Sequence, residues 1–323
     1  MAKWIITHGD TDGICSGAIA LSALKGGRVF FSHPSGLAED LQQVDGDYFI
    51  CDIAIPQQSL DEVVRELQRI RVAGYKGTYI DHHPLPKGFD EGGFPPKLIH
   101  SLASCGAELT YTSFEDMLGR DLGRVAIYGA IGDYLDTTYD IVRLQTGWDK
   151  RGLFLEAGLL IEYIDSIGRN HELKRQLCQF LASGKLPSSD EVLVNKAISE
   201  AIKDEWMRKR VRELVKVEGS VAYILDADWS LSKGAIYARA ETGAKVGIAG
   251  EARKGVVEMS LRTPSETIDL NEILNRLAPT LGGSGGGHAK AAGARIPSDR
   301  LPQFITELNR AVETSSTETT MEY

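Results

Sequence analysis

Short apolar runs alternate with segments of helical periodicity along roughly the first 140 residues. Lys3 to Thr7 reads as a strand, Gly13 to Leu24 as an Ala- and Leu-rich helix, and Arg28 to Ser32 as a second strand. Tyr48 to Ile53 is nearly continuously apolar, the pattern of a strand covered on both faces. Ser59-Leu60-Asp61-Glu62 carries a capping-box spacing and opens a helix to about Val72. Tyr79-Ile80 and Leu98-Ile99 are further strands, and Cys105 to Leu118 a helix. This alternation predicts an α/β fold, a parallel sheet flanked by helices.

From Asp121 to about Gly184 the pattern is helical throughout. Pro187-Ser188-Ser189-Asp190 then starts a long helix to about Val217, with the basic cluster Arg208, Lys209, Arg210 and Arg212. That cluster reads as a solvated face, or else as a strip that touches a polyanion. Strands at Val221 to Leu225, Lys245 to Ala249 and Val256 to Leu261 mix with helices at Ser230 to Glu241, Leu270 to Leu277 and Asp299 to Val312. We expect a first domain over 1–186, a connecting helix over 187–217, a smaller α/β domain over 218–313 and a disordered polar tail over 314–323.

Composition narrows the class. The 323 residues suffice for two ordinary domains. No apolar stretch approaches the ~18 residues of a membrane span. Met1-Ala2-Lys3 leads straight into a strand pattern, so we expect no secretory leader, no membrane partner and a cytoplasmic protein. Cys15, Cys51, Cys105 and Cys178 are widely separated, which favours buried free thiols over a disulfide framework or zinc site. A net charge of −9 disfavours nonspecific tracking of duplex DNA, but not a short strand or a nucleotide.

Part of that acidic excess is clustered. Asp81-His82-His83-Pro84 follows Gly77-Thr78-Tyr79-Ile80, and His8-Gly9-Asp10-Thr11-Asp12 follows Lys3-Trp4-Ile5-Ile6. Asp52 follows Tyr48-Phe49-Ile50-Cys51, and Asp133 follows the apolar run Val125 to Ile131. Parallel α/β sheets bind ligands beyond the carboxyl ends of their strands, so one rim gathers these groups. Residues His8, Asp10 and Asp12, at i, i+2 and i+4, can point to one side of a turning segment. Singly, Asp12 reads as a helix cap, His8 and His82 as hydrogen-bonded core histidines, and Asp133 as a helix end. As a set they point to metal, because four carboxylates repel at neutral pH unless cations lie between them. An oxygen-rich set with one or two imidazoles suits Mn²⁺ or Mg²⁺ better than structural zinc. Near the C-terminus, Gly282-Gly283-Ser284-Gly285-Gly286-Gly287-His288 reads as a glycine-rich loop whose amides can approach an anion.

The patterns HxDxDG (His8 to Gly13), CDIAIP around Asp52, DHHP (Asp81 to Pro84) and GAIGDYLD around Asp133 resemble the four motifs of the DHH phosphoesterases. The glycine segment with Ala291-Ala292-Gly293 is similar to the GGGHxxAAG signature of the DHHA1 domain. Together they span Trp4 to about Pro297 in the family's order. The resemblance implies two divalent metal ions, one held by His8, Asp10 and Asp52, the other by Asp12, Asp52, His82 and Asp133, with Asp52 shared. It implies that Asp81 orients an imidazole or water from behind and that His83 faces the substrate phosphate. Two such ions activate a water and clamp phosphoryl oxygens, so no protein nucleophile is needed. From the second domain it implies Arg262, Gly285, Gly286, Gly287 and His288 as substrate-binding residues. Arg262 reads otherwise as a surface ion-pair partner, and Ser104 as either a substrate contact or a helix N-cap. Asp136 is expected to hold no metal.

The HxDxDG spacing resembles that of RecJ-like nucleases, archaeal ones in particular, which implies a Mn²⁺-dependent exonuclease on single-stranded DNA or RNA. The alternative is a phosphodiesterase of oligoribonucleotides, cyclic dinucleotides or 3′,5′-bisphosphate nucleotides. A non-catalytic replication or repair scaffold is disfavoured by the complete ligand set. An inorganic pyrophosphatase is disfavoured by the His288 segment. Partnership with replication or repair proteins and self-association stay open.

Overall fold

The computed structural model describes residues 3–226 and 229–318. The chain divides into two compact units, 1–200 and 201–323. The first contains β1 (Lys3–Thr7), α1 (Thr11–Ala23), β2 (Arg28–Phe31), α2 (Leu37–Leu41), β3 (Asp47–Cys51), α3 (Leu60–Val72), β4 (Gly77–Asp81) and β5 (Lys97–His100). Helices α4 (Gly106–Phe114), α5 (Leu122–Gly132), α6 (Tyr139–Gln145), α7 (Lys150–Ile167) and α8 (His171–Ala182) follow, then α9 (Glu191–Leu214), inside which the division falls.

All five strands run parallel in the order β2-β1-β3-β4-β5. The two-residue side-chain period of each strand assigns its residues to two cores. Ile5 and Cys51 join α1, α4, α5, α7 and α8 on one face, whereas Trp4, Ile6, Tyr48, Ile50 and Tyr79 pack with α2 and α3 on the other. The chain leaves β1 outward to β2 and returns to β3 on the opposite side of β1. The crevice beyond β1 and β3 is therefore the switch point where such sheets bind ligands. Helix α1 lies over it, buried along almost its whole length, which explains a composition rich in Ala and Gly rather than an amphipathic one.

The second unit continues with β6 (Lys216–Glu218), β7 (Val221–Leu225), α10 (Leu231–Thr242), β8 (Val246–Arg253), β9 (Val256–Arg262), α11 (Leu270–Thr280), β10 (Ser284–Gly287), β11 (Ala291–Pro297) and α12 (Leu301–Glu318). Its sheet runs β10-β11-β9-β8-β7-β6, antiparallel except for β7 with β8.

Several expectations change. The long helix stops at Leu214 instead of Val217, because Lys216–Glu218 pairs with β7. The glycine-rich segment is not a loop: Ser284–Gly287 is an edge strand paired with β11. A disordered tail was expected from 314, but α12 continues to Glu318; residues 319–323 lie outside the described ones. Ser59 makes no side-chain cap, since a 3₁₀ turn at Gln57–Ser59 precedes α3 and turns its hydroxyl toward the Pro56 carbonyl. In the basic cluster, Arg208 pairs with Glu205 and Glu241, Arg212 with Glu241 and Arg210 with Glu213, as a solvated face would. All four cysteines are buried and free. Among the described residues, no helix is long and apolar enough to cross a membrane.

Close approach of α5 to α1 and α4 depends on Gly129. A Cβ there would lie 2.5 Å from Ala107 Cβ and 2.8 Å from Asp12 Oδ1. Gly129→Ala is therefore expected to destabilise the protein by about 1–3 kcal/mol, the usual cost of overpacking. Urea denaturation measures this, and an unchanged midpoint would contradict the tight crossing.

Candidate metal centre

The turn after β1 is fixed from both ends. Thr7 Oγ1 donates to the Gly13 carbonyl at 2.6 Å, and Asp10 caps α1 by accepting from the Gly13 amide at 3.0 Å. His8 Nδ1 lies 2.8 Å from Asp10 Oδ2, and that carboxylate raises the His8 pKa. Asp12 is buried, and it does cap a helix, but a distant one. Its two oxygens accept the amides of Gly106 at 2.6 Å and Ala107 at 2.8 Å, at the start of α4. A Cβ on Gly106 would stand 2.9 Å from both Asp12 Oδ2 and Asp52 Cβ, so only glycine fits.

Asp52 follows β3 in a left-handed conformation, φ +56°, which aspartate tolerates better than most residues. Its amide extends the sheet to the Ile80 carbonyl at 2.9 Å, and Tyr79 Oη holds the next carbonyl, that of Ile53, at 2.6 Å. The side chain is buried, and its Oδ2 has no hydrogen-bond partner among the described residues. Burial, then the charges of Asp10, Asp12, Asp133 and Asp81, push its pKa well above the carboxylate range. His82 Nε2 stands 3.2 Å from Asp52 Oδ1, 3.6 Å from Asp133 Oδ2 and 3.7 Å from Asp12 Oδ2. Burial lowers its pKa, favouring the neutral imidazole that ligates metals. His83 differs. Burial pulls its pKa down, but Asp81, whose Oδ1 lies 2.9 Å from His83 Nδ1, carries it up to about 9.

One atom from each of His8, Asp10 and Asp52 lies within 4.8 Å of the others, and the same holds for Asp12, Asp52 and His82. Asp52 belongs to both sets, and to a third with Asp81 and His83. The donor set fits divalent ions. It is oxygen-rich with imidazoles, it has a buried carboxylate oxygen without a donor, and burial together with neighbouring carboxylates raises the pKa values of Asp12 and Asp52. Thus His8, Asp10, Asp12, Asp52, Asp81, His82, His83 and Asp133 are brought together at one sheet edge.

The remaining expected residues are placed as follows. Ser104 is not the N-cap of α4, which is Cys105; its hydroxyl instead bonds Glu108. In the second unit, Arg262 at the end of β9 donates to Ser232 Oγ at 2.7 Å and to its neighbour's carbonyl, Leu261 O, at 2.8 Å. Gly285 and Gly286 pair with Ala294 and Gly293, the Gly287 amide donates to Asn271 Oδ1 at 3.1 Å, and His288 closes the turn to Ala291 at 2.9 Å.

Two contributors carry no sequence signal. Lys174 on α8 is buried, and its ammonium donates to the Gly9 carbonyl beside Asp10. Burial lowers its pKa, with Asp10 and Asp165 opposing. The other contributor is the amide pair Gly106–Ala107, backbone atoms that no motif reports.

Residues 219–314 match the DHHA1 domain. No curated protein sequence matches the chain. Among solved structures it is similar to RecJ in complex with Mn²⁺ from Thermus thermophilus, at TM-score 0.67 and 18% identity. That likeness covers 98% of this chain but 52% of that one, so the chain spans about half the length of this RecJ. It is also similar to PggH, a pGpG-specific phosphodiesterase from Vibrio cholerae, at TM-score 0.59 and 14% identity over 98% of this chain and 100% of that one. CDC45 from Entamoeba histolytica matches at TM-score 0.58 and 8% identity, over 96% and 95% of the two chains. Within the second unit, residues 219–314 are thus a DHHA1 domain, and the chain as a whole shares its fold with the RecJ and PggH structures.

Proposed function

We propose that this protein is a divalent-metal-dependent phosphodiesterase that hydrolyses single-stranded nucleic acid from an end. The observation that carries this reading is the pair of ligand sets sharing Asp52 beyond β1 and β3. His8, Asp10 and Asp52 would hold one ion, and Asp12, Asp52, His82 and Asp133 the other, with Mn²⁺ or Mg²⁺ suited to the donors. Ions held there would offset the charge of the carboxylates and phosphoryl oxygens and would acidify a water for attack. Asp81 keeps the neighbouring His83 imidazole protonated, and His83 Nε2–H donates to a phosphate oxygen. Arg262, the glycines Gly285 to Gly287, His288 and Ser104 are assigned to the rest of the substrate. DNA or RNA strands are the proposed partners.

A second reading, a phosphodiesterase of very short oligonucleotides or signalling nucleotides, draws support from the fold shared with PggH, a pGpG-specific phosphodiesterase. The two readings separate on substrates of two to five nucleotides against a long end-labelled single strand, assayed with Mn²⁺. The leading reading expects stepwise shortening of the long strand, and activity confined to the shortest substrates would replace it with the second.

Asp52→Ala is expected to abolish turnover and to remove both ions from a Mn²⁺ calorimetric titration, because one side chain serves both sets. Near-normal turnover would refute the shared-ligand assignment. Asp81→Asn should leave the ligands in place and lower activity roughly 10- to 100-fold, the usual effect of losing an orienting carboxylate. The measurement is kcat at saturating metal, and an unchanged value would remove Asp81 from the mechanism.

A further inference from the structure

Helix α5 ends in a Schellman motif immediately after a proposed ligand. Asp133 is its C-cap, the Tyr134 amide donates to the Ile131 carbonyl at 3.3 Å and the Leu135 amide to the Ala130 carbonyl at 2.8 Å. The residue in the left-handed position of this motif is normally glycine, which has no Cβ to clash. Here it is Tyr134, φ +58°. A bulky aromatic at that φ is strained, and packing does not repay the strain, because Tyr134 is 74% exposed. The preceding residue, Asp133, places its carboxylate 3.6 Å from His82 Nε2, so the ring is carried one residue from the acid cluster. A large flat apolar surface, presented to solvent at strained backbone one residue along the chain from the acid cluster, has the chemistry of a base-stacking platform.

We infer that Tyr134 stacks on the nucleobase next to the scissile phosphate. The inference rests on the proposed phosphodiesterase reading and deepens it, since it makes the site prefer a nucleotide with a base over a bare sugar-phosphate. Phosphate recognition by the acid edge is indifferent to the base. Stacking supplies base dependence without hydrogen-bond readout, and so without strong sequence preference.

The test compares wild type, Tyr134→Gly and Tyr134→Trp on two single strands, differing only in whether the terminal nucleotide carries adenine or is abasic. Glycine suits the left-handed position, so Tyr134→Gly is expected to melt no lower than wild type, which separates the effect from misfolding. Wild type and Tyr134→Trp should favour the base-bearing strand about tenfold in KM, as one stacked base provides. Tyr134→Gly should bring that strand to the level of the abasic one. Independently of turnover, a terminal 2-aminopurine should be quenched on binding to wild type with Mg²⁺ and not on binding to Tyr134→Gly. Equal discrimination and equal quenching in wild type and Tyr134→Gly would overturn the stacking role while leaving the phosphodiesterase reading intact. A wild type that cleaves neither strand would overturn that reading, and the stacking role with it.

Discussion

Both oxygens of one carboxylate hold the acid-bearing edge together. Asp12 begins α1, yet it accepts the first two amides of α4, which ties the helix after β1 to the helix after β5. The positive end of the α4 dipole then lies against a buried negative charge, which makes an aspartate sustainable at 3% exposure. Gly106 and Gly129 press against the same carboxylate without room for a side chain. The helix ends around it form a chain: Cys105 caps α4, Glu108 in its first turn accepts from Thr138, and Thr138 caps α6. Asp52 sits behind this arrangement, fixed by Tyr79 and the sheet, so its position follows from the same packing.

What could be read from the sequence was local. Strand periodicity and the acids that end each strand are encoded within a few residues, so β1, β3, β4 and the acids that follow them lie close to where the sequence predicts. Distant donors were not legible. The amides that receive Asp12 are some 94 residues away, and Lys174 meets Gly9 across 165. Neither a backbone amide nor a lysine on an amphipathic helix announces such a contact. Glycine's weak strand propensity argued for a loop at Ser284–Gly287, and pairing with β11 overrode it. The sequence reading ends α11 at Leu277, but a proline so near the end lets the helix run to Thr280.

Two adjacent imidazoles show how environment divides the work. His82 and His83 share one tripeptide, yet burial drives the first toward the neutral form, while Asp81 holds the second as a cation. Neighbouring groups pushed to opposite protonation states are the usual sign of distinct chemical tasks. Among the described residues, two of the five left-handed positions not occupied by glycine, Asp52 and Tyr134, belong to this edge or adjoin it.

The long-range bond from Asp12 to Gly106 also bears on how the edge assembles. It closes a loop of 94 residues that contains β2 through β5, a contact of high sequence separation. Before α4 docks, the aspartates are hydrated and repel one another weakly; docking removes that water and brings the repulsion to full strength. Burial of Asp12 and Asp52 is therefore linked to uptake of protons, or of cations in their place, which offset that repulsion.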